Sequence, residues 1–247
     1  FRIKYLSGQR LLYFLAAVVG LSVGLAAVII KNLVHFIREA LANGFHGDYT
    51  RFYIFVLPLI GILLVVVFIR YINKKPVGHG IPGVLFSISK RNGIIRSHNL
   101  YSSIITSALT VGFGGSVGLE GPTVATGGAI GSNVGRIMKL RYKEIILLIS
   151  CACAGAMSAI FKAPIAGIVF ALEVIMLDLT MWAIIPLLIA SASATLTSYL
   201  FLGQNVLYSL QLTDAFEMNH IHYYLLLGLL AGLLSVYSVS YTHLRAH

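Results

Sequence analysis

Glu120 is a single carboxylate inside a glycine-rich break between two apolar segments, in the stretch GFGGSVGLEGPTVATGGAIGSN that covers residues 112–133. A charged side chain at the centre of a membrane helix costs about 2.5–3.5 kcal/mol, and it is usually kept there because it handles an ion or a proton. Gly121 and Pro122 follow it and suit the first turn of a new helix. Proline lacks an N–H that would be orphaned there, and glycine lets backbone come close to a ligand. The unpaired N–H groups of such a start, together with the positive end of the peptide dipole, on the order of half an elementary charge, attract anions. The chemistry expected of Gly118, Leu119, Glu120, Gly121 and Pro122 is therefore reversible anion binding, with a carboxylate that can occupy the cradle and leave when an anion arrives.

A second start of the same kind stands at residues 78–83, GHGIPG, where Gly80 and Pro82 flank Ile81 and place His79 at the lip. The other reading of His79 is an interfacial histidine bonded to a backbone carbonyl. The spacing also matches a dinucleotide fingerprint, but no strand-like run leads into it and no acid stands ~20 residues on. Lys162, Ala163 and Pro164 mark a third restart. Residues 114–118, GGSVG, are a literal GxSxG. A nucleophilic Ser116 would need a histidine base, yet His79 belongs to another motif and His98 to a basic loop, so an intramembrane serine hydrolase stays a distant alternative and no catalytic residue is assigned. Cys151 and Cys153 are two apart in an apolar run, which turns them to different helix faces. They read as packing residues rather than a disulfide or a metal site, and no cofactor is expected beyond a transported small anion.

The elements that must position these residues follow from composition. The chain is 58% hydrophobic and 11% charged, with a mean hydropathy of +0.89, which leaves too few charges for a soluble surface. It is expected to be an all-α, polytopic membrane protein with tilted and broken helices. The formal charge of +10 is carried by short clusters between apolar runs, the pattern of topogenic loops rather than of a nucleic-acid surface. Residues 11–41 form an apolar run too long to cross upright and predict a tilted helix. Its flank of Arg2, Lys4 and Arg10 argues for a cytoplasmic N-terminus, in a plasma membrane or a bacterial inner membrane. Residues 52–72 return and end at Arg70, Lys74 and Lys75. Residues 101–111 form a hydroxyl-bearing helix that leads into the central break, and Gly127, Gly131 and Gly135 then bare one helix face for a close neighbour. Arg136, Lys139, Arg141 and Lys143 are a further basic loop. Apolar segments follow at 145–161 and 164–176, the second carrying Glu173 as a buried or vestibule-facing carboxylate. Residues 179–202 make another span, and 203–219, with Asp214 and Glu217, an outer loop. A last helix begins at 220–236. The abrupt change to YSVSYTHLRAH reads as a non-native tail at 237–247, after a transmembrane domain at 1–236.

GHGIP at 78–82, GLEGP at 118–122, the following TVATGGAIGS, and AGAMSAIFKAPIAGIVFALEV at 154–174 stand in an order and spacing that resembles the CLC family of chloride channels and proton-coupled chloride exchangers. The resemblance covers most of residues 10–236. It implies a first inverted repeat plus the opening helix of a second, in a chain that looks truncated, and a homodimer in the full-length protein with the lipid bilayer and chloride or a related anion as partners. It gives Glu120 the gating role and assigns anion-binding backbone donors to Gly80, Ile81, Glu120 and Gly121. Three departures matter. The family's usual basic residue inside this motif is Leu119 here, the serine of its first motif is His79, and the exchangers' inner proton-transfer glutamate would fall at Val174. Because an aliphatic side chain cannot hold a proton, a gated anion channel is expected, with proton-coupled exchange as the alternative.

Overall fold

In the computed structural model, residues 8–44, 50–75, 77–78, 80–175, 181–203 and 218–245 are described, and among them every regular element is a helix. A bilayer demands that outcome of an open chain, because backbone polar groups there must be satisfied within the segment itself. Residues 1–207 form one compact unit and 208–247 another.

In the first unit, helix α1 (Gly8–Gly44) has 37 residues. At 1.5 Å per residue it is ~55 Å long, against a hydrocarbon core of ~30 Å, so it must tilt. One face, with Ala16, Val19, Val23, Ala27 and Ile30, is buried, while Phe14, Leu21, Leu25 and Ile29 are exposed. Helix α2 (Thr50–Val67) widens into a π-helical turn (Phe68–Asn73), which Lys74 ends at a left-handed φ of 51°. Three helices follow that do not qualify as full spans: α3 (Gly80–Lys90), α4 (Asn99–Gly112) and α5 (Glu120–Ile137). Helix α6 (Tyr142–Phe161) is the centre of the unit and packs against α1, α5, α7 (Pro164–Phe170) and α8 (Ile184–Leu202). Its Leu147, Leu148, Ile149, Cys151 and Cys153 are buried, and the two thiols are free.

The glycine face of α5 is a packing face, as its spacing predicts. A Cβ at Gly131 would lie 2.5 Å from the Leu148 carbonyl oxygen and 2.9 Å from Ile149 Cα, so only glycine lets the two backbones approach this closely. Three hydroxyls of α4 turn back on their own helix: Thr106, Ser107 and Thr110 donate to the carbonyls of Ser102, Ser103 and Thr106. Helix α6 stops at Lys162, at a φ of 56°, and Pro164 restarts the chain at the first position of α7, as the interruption at 162–164 predicts. Helix α7 runs into a second π-helical turn, Ala171–Ile175. There the two readings of Glu173 separate: Ala171 and Ile175 face the core, while Glu173, midway between them, is exposed, which removes the buried alternative and leaves the vestibule-facing one.

In the second unit a single turn at Met218–His220 leads into α9 (Ile221–Arg245). The stretch apolar enough to cross a membrane ends at Ser238, close to where the composition changes. The helix itself runs on to Arg245, through a stretch that holds no proline or glycine to stop it. Five helices among the described residues are long and apolar enough to span. Asp214 and Glu217 lie outside the described residues.

Candidate functional site

Helices α3 and α5 begin in the same register. Gly80, Ile81 and Pro82 open the first, and Glu120, Gly121 and Pro122 open the second. In each, proline takes a first-turn position whose N–H would have no intrahelical partner. Gly80 sits at a φ of +61°, a left-handed conformation that glycine adopts without strain. A Cβ on it would stand 3.5 Å from Gly121 Cα and 3.6 Å from the Gly121 carbonyl oxygen. Two segments some forty positions apart in the chain are thus brought together at their positive ends, with Ile81 and Gly121 each carrying a first-turn N–H. His79, expected at the lip of the first start, lies outside the described residues.

The second start is anchored locally. Thr123 donates both its N–H (3.1 Å) and its hydroxyl (2.7 Å) to the Leu119 carbonyl, which closes the first turn of α5. Glu120 is half-buried, in the first turn where a carboxylate meets the favourable end of the dipole. Its Oε2 folds back over Gly118 and lies against the position a side chain there would need. Gly118 is exposed and Pro122 half-buried, so the carboxylate stands at the open side of the turn. Leu119 packs against two apolar clusters, one with Ala27, Ile160 and Ala194, the other with Val34, Ala108 and Val111. A lysine or arginine in that setting would bury its charge among apolar groups at high cost.

Val174 is half-buried and packs on the main apolar cluster, next to the exposed Glu173. Ser116 is exposed in the loop before α5.

Nothing in the spacing singles out Lys31, yet its ammonium donates to the Ile160 carbonyl at 2.7 Å, at the C-terminal, negative end of α6. Lys162 donates to the Gly203 carbonyl at the end of α8. Both lysines cap helix ends.

A family model described as voltage gated chloride channel matches residues 60–245. The chain belongs to the voltage-gated chloride channel family. Among curated members, the H(+)/Cl(-) exchange transporter ClcA of Vibrio cholerae is 26% identical over 235 residues, 90% of this chain and 49% of its own. The putative chloride channel protein ClcB-like of Ralstonia nicotianae is 28% identical over 182 residues, 72% of this chain and 42% of its own. The chain therefore spans about half the length of the curated members it matches. Among solved structures, a CLC-type fluoride/proton antiporter superposes with a TM-score of 0.73 at 26% identity, covering 91% of this chain and 55% of that one. A slow cyanobacterial Cl-/H+ antiporter superposes at 0.77 with 22% identity, covering 93% and 55%, which supports the fold. The resemblance read from the four motifs and the polytopic all-α fold both stand.

Proposed function

We propose that the protein moves chloride or a related small anion across a membrane in exchange for protons, with anions held at the paired starts of α3 and α5 and Glu120 as the titratable gate. The observation that carries this reading is the contact of Gly80 with Gly121. It brings two sets of first-turn N–H groups and one half-buried carboxylate to a single place. Anions and the Glu120 carboxylate compete for the same donors, and a protonated Glu120 gives up its claim on them. Exchange is preferred over the channel expected from sequence because a curated relative and both solved structures carry names of proton-coupled transporters. The bacterial inner membrane, a cytoplasmic N-terminus and a homodimer of the full-length protein belong to the same proposal.

The second reading, a gated anion channel, is favoured by Val174, whose apolar packing offers no acid for an inner proton relay. Reconstitution in liposomes separates the two. Exchange predicts that an imposed chloride gradient drives protons uphill and that the reversal potential shifts with the pH gradient at a fixed ratio. A reversal potential that follows chloride alone would establish the channel. No anion flux under either gradient, from protein of full family length, would overturn both.

A further inference from the structure

Between α3 and the start of α4 lies a cavity of about 250 Å³ whose lining includes Gly78, Gly80, Arg91, Arg96, His98 and Asn99. Among the described residues its titratable lining is two arginines and one histidine, with no aspartate or glutamate. His98 is only 8% exposed, and both of its ring nitrogens are buried without a hydrogen-bond partner among the described residues, as is Asn99 Oδ1. Buried polar atoms of this kind are costly to leave unmade. Arg91 and Arg96 are exposed and form no ion pair with a described carboxylate; Arg91 lies over the Phe86 ring, 5.2 Å from its centre. The floor of the cavity is thus an unsatisfied imidazole and amide, and its rim is two guanidinium groups.

The loop that carries these groups is held rigidly. The Ser132 hydroxyl, buried on α5, donates to the Gly93 carbonyl at 2.6 Å and accepts from the Ile95 N–H at 3.0 Å. The Ser97 hydroxyl donates to Asn133 Oδ1 at 2.8 Å, and the Tyr142 hydroxyl to the Ile88 carbonyl at 3.1 Å. Three side chains from outside the loop, Ser132, Asn133 and Tyr142, therefore hold the segment that carries Arg91, Arg96 and His98 before any ligand arrives, which lowers the entropy cost of binding.

Size and hydrogen-bond chemistry choose the ligand. At a share of ~30 Å³ per water, the cavity holds roughly eight waters, more room than one bare halide fills. A halide accepts hydrogen bonds only, so it would leave Asn99 Oδ1 and the acceptor nitrogen of a neutral imidazole unmet. A phosphate that still carries a hydrogen, or a phosphate ester with a neighbouring hydroxyl, accepts from guanidinium groups in their forked geometry and also donates.

We propose that this cavity, which adjoins the Gly80 start of α3, is a phosphate-binding site, and that its ligand is either free hydrogen phosphate or the headgroup of a hydroxyl-bearing anionic phospholipid. Arg91 and Arg96 grip the phosphate oxygens, while His98 and Asn99 meet its hydrogen-bearing side.

The test is calorimetric titration of the purified protein in a maltoside detergent, with inorganic phosphate in one arm and short-chain phosphatidylglycerol in the other. Saturable binding of phosphate identifies the free oxyanion, and saturation by the lipid alone identifies the headgroup. In either case R91Q and R96Q, at exposed positions that folding tolerates, weaken binding roughly 10- to 100-fold, the loss expected for a charge-assisted pair, and H98L removes the acceptor that meets the hydrogen-bearing side. Failure of both ligands to bind, or equal binding by the arginine variants, overturns the site. Because the readout is binding, its outcome is independent of whether the protein exchanges or conducts anions.

Discussion

The Glu120 carboxylate occupies the space that a side chain at residue 118 would need: a Cβ built on Gly118 collides with Glu120 Oε2. The glycine two positions before the carboxylate therefore sets where that carboxylate rests. Gly118→Ala should drive the carboxylate out of this position, and Glu120→Gln should remove its charge altogether. In reconstituted protein of full family length both should make anion flux much less dependent on external pH, the glutamine variant more completely. Unchanged pH dependence in Glu120→Gln would remove Glu120 from the gating role.

Helix contact makes a second prediction. Gly131→Val places a branched side chain against the Leu148 carbonyl and Ile149 Cα, which are backbone and cannot swing aside. Overpacking of this kind costs about 1–3 kcal/mol or more. The variant should elute as a smaller folded fraction and unfold at lower temperature in detergent, whereas Gly228→Val on α9, where no atom crowds the new group, should not.

His98 predicts a pH dependence of stability. Its pKa is held below the ordinary histidine value, first by burial and then by the nearby Lys75 and Arg96 charges. In the unfolded chain it takes up a proton near pH 6.5, while the folded protein resists protonation, so the unfolded state binds more protons in this window and stability rises with pH. The contribution is present above about pH 6.5 and is lost as pH falls toward the depressed folded value. Thermal unfolding followed from neutral pH downward should lose less stability in His98→Gln than in the parent; parallel curves would contradict it.

Orientation is read from the basic loops. Cysteines at Lys74, Arg91 and Arg141, in a background where Cys151 and Cys153 stay buried, should be shielded from an impermeant thiol reagent applied outside, and one at Asp214 should react. Labelling of the Arg141 position from outside would invert the topology.

What could be read from sequence was whatever local chemistry encodes. Each helix restart is announced by proline within its first three positions, at Pro82, Pro122 and Pro164, and the three-glycine face of α5 states its packing partner's closeness in its own spacing. Long-range pairings are not written locally. Ser132 reaches Gly93 across 39 positions, and nothing near either residue marks the pair. Leu119 illustrates a different limit: within its motif it reads as a missing charge, and only the two clusters it joins explain why a charge there would be costly. The π-helical turns at Phe68–Asn73 and Ala171–Ile175 carry residues that suit an α-helix equally well, so the sequence leaves open which way Glu173 faces.

Lys31 and its partner are synthesised far apart in time. Its ammonium lies toward the C-terminal end of the long apolar run of α1, and its partner is the Ile160 carbonyl, 129 positions later. At synthesis rates of roughly 5–20 residues per second, about 6 to 26 s separate the emergence of the lysine from that of the carbonyl. For that interval α1 bears an uncapped charge, which at mid-bilayer costs about 2.5–3.5 kcal/mol. Over that interval the long, flexible lysine stem keeps the charge toward the headgroups, and the arrival of α6 gives the ammonium its carbonyl partner within the folded unit.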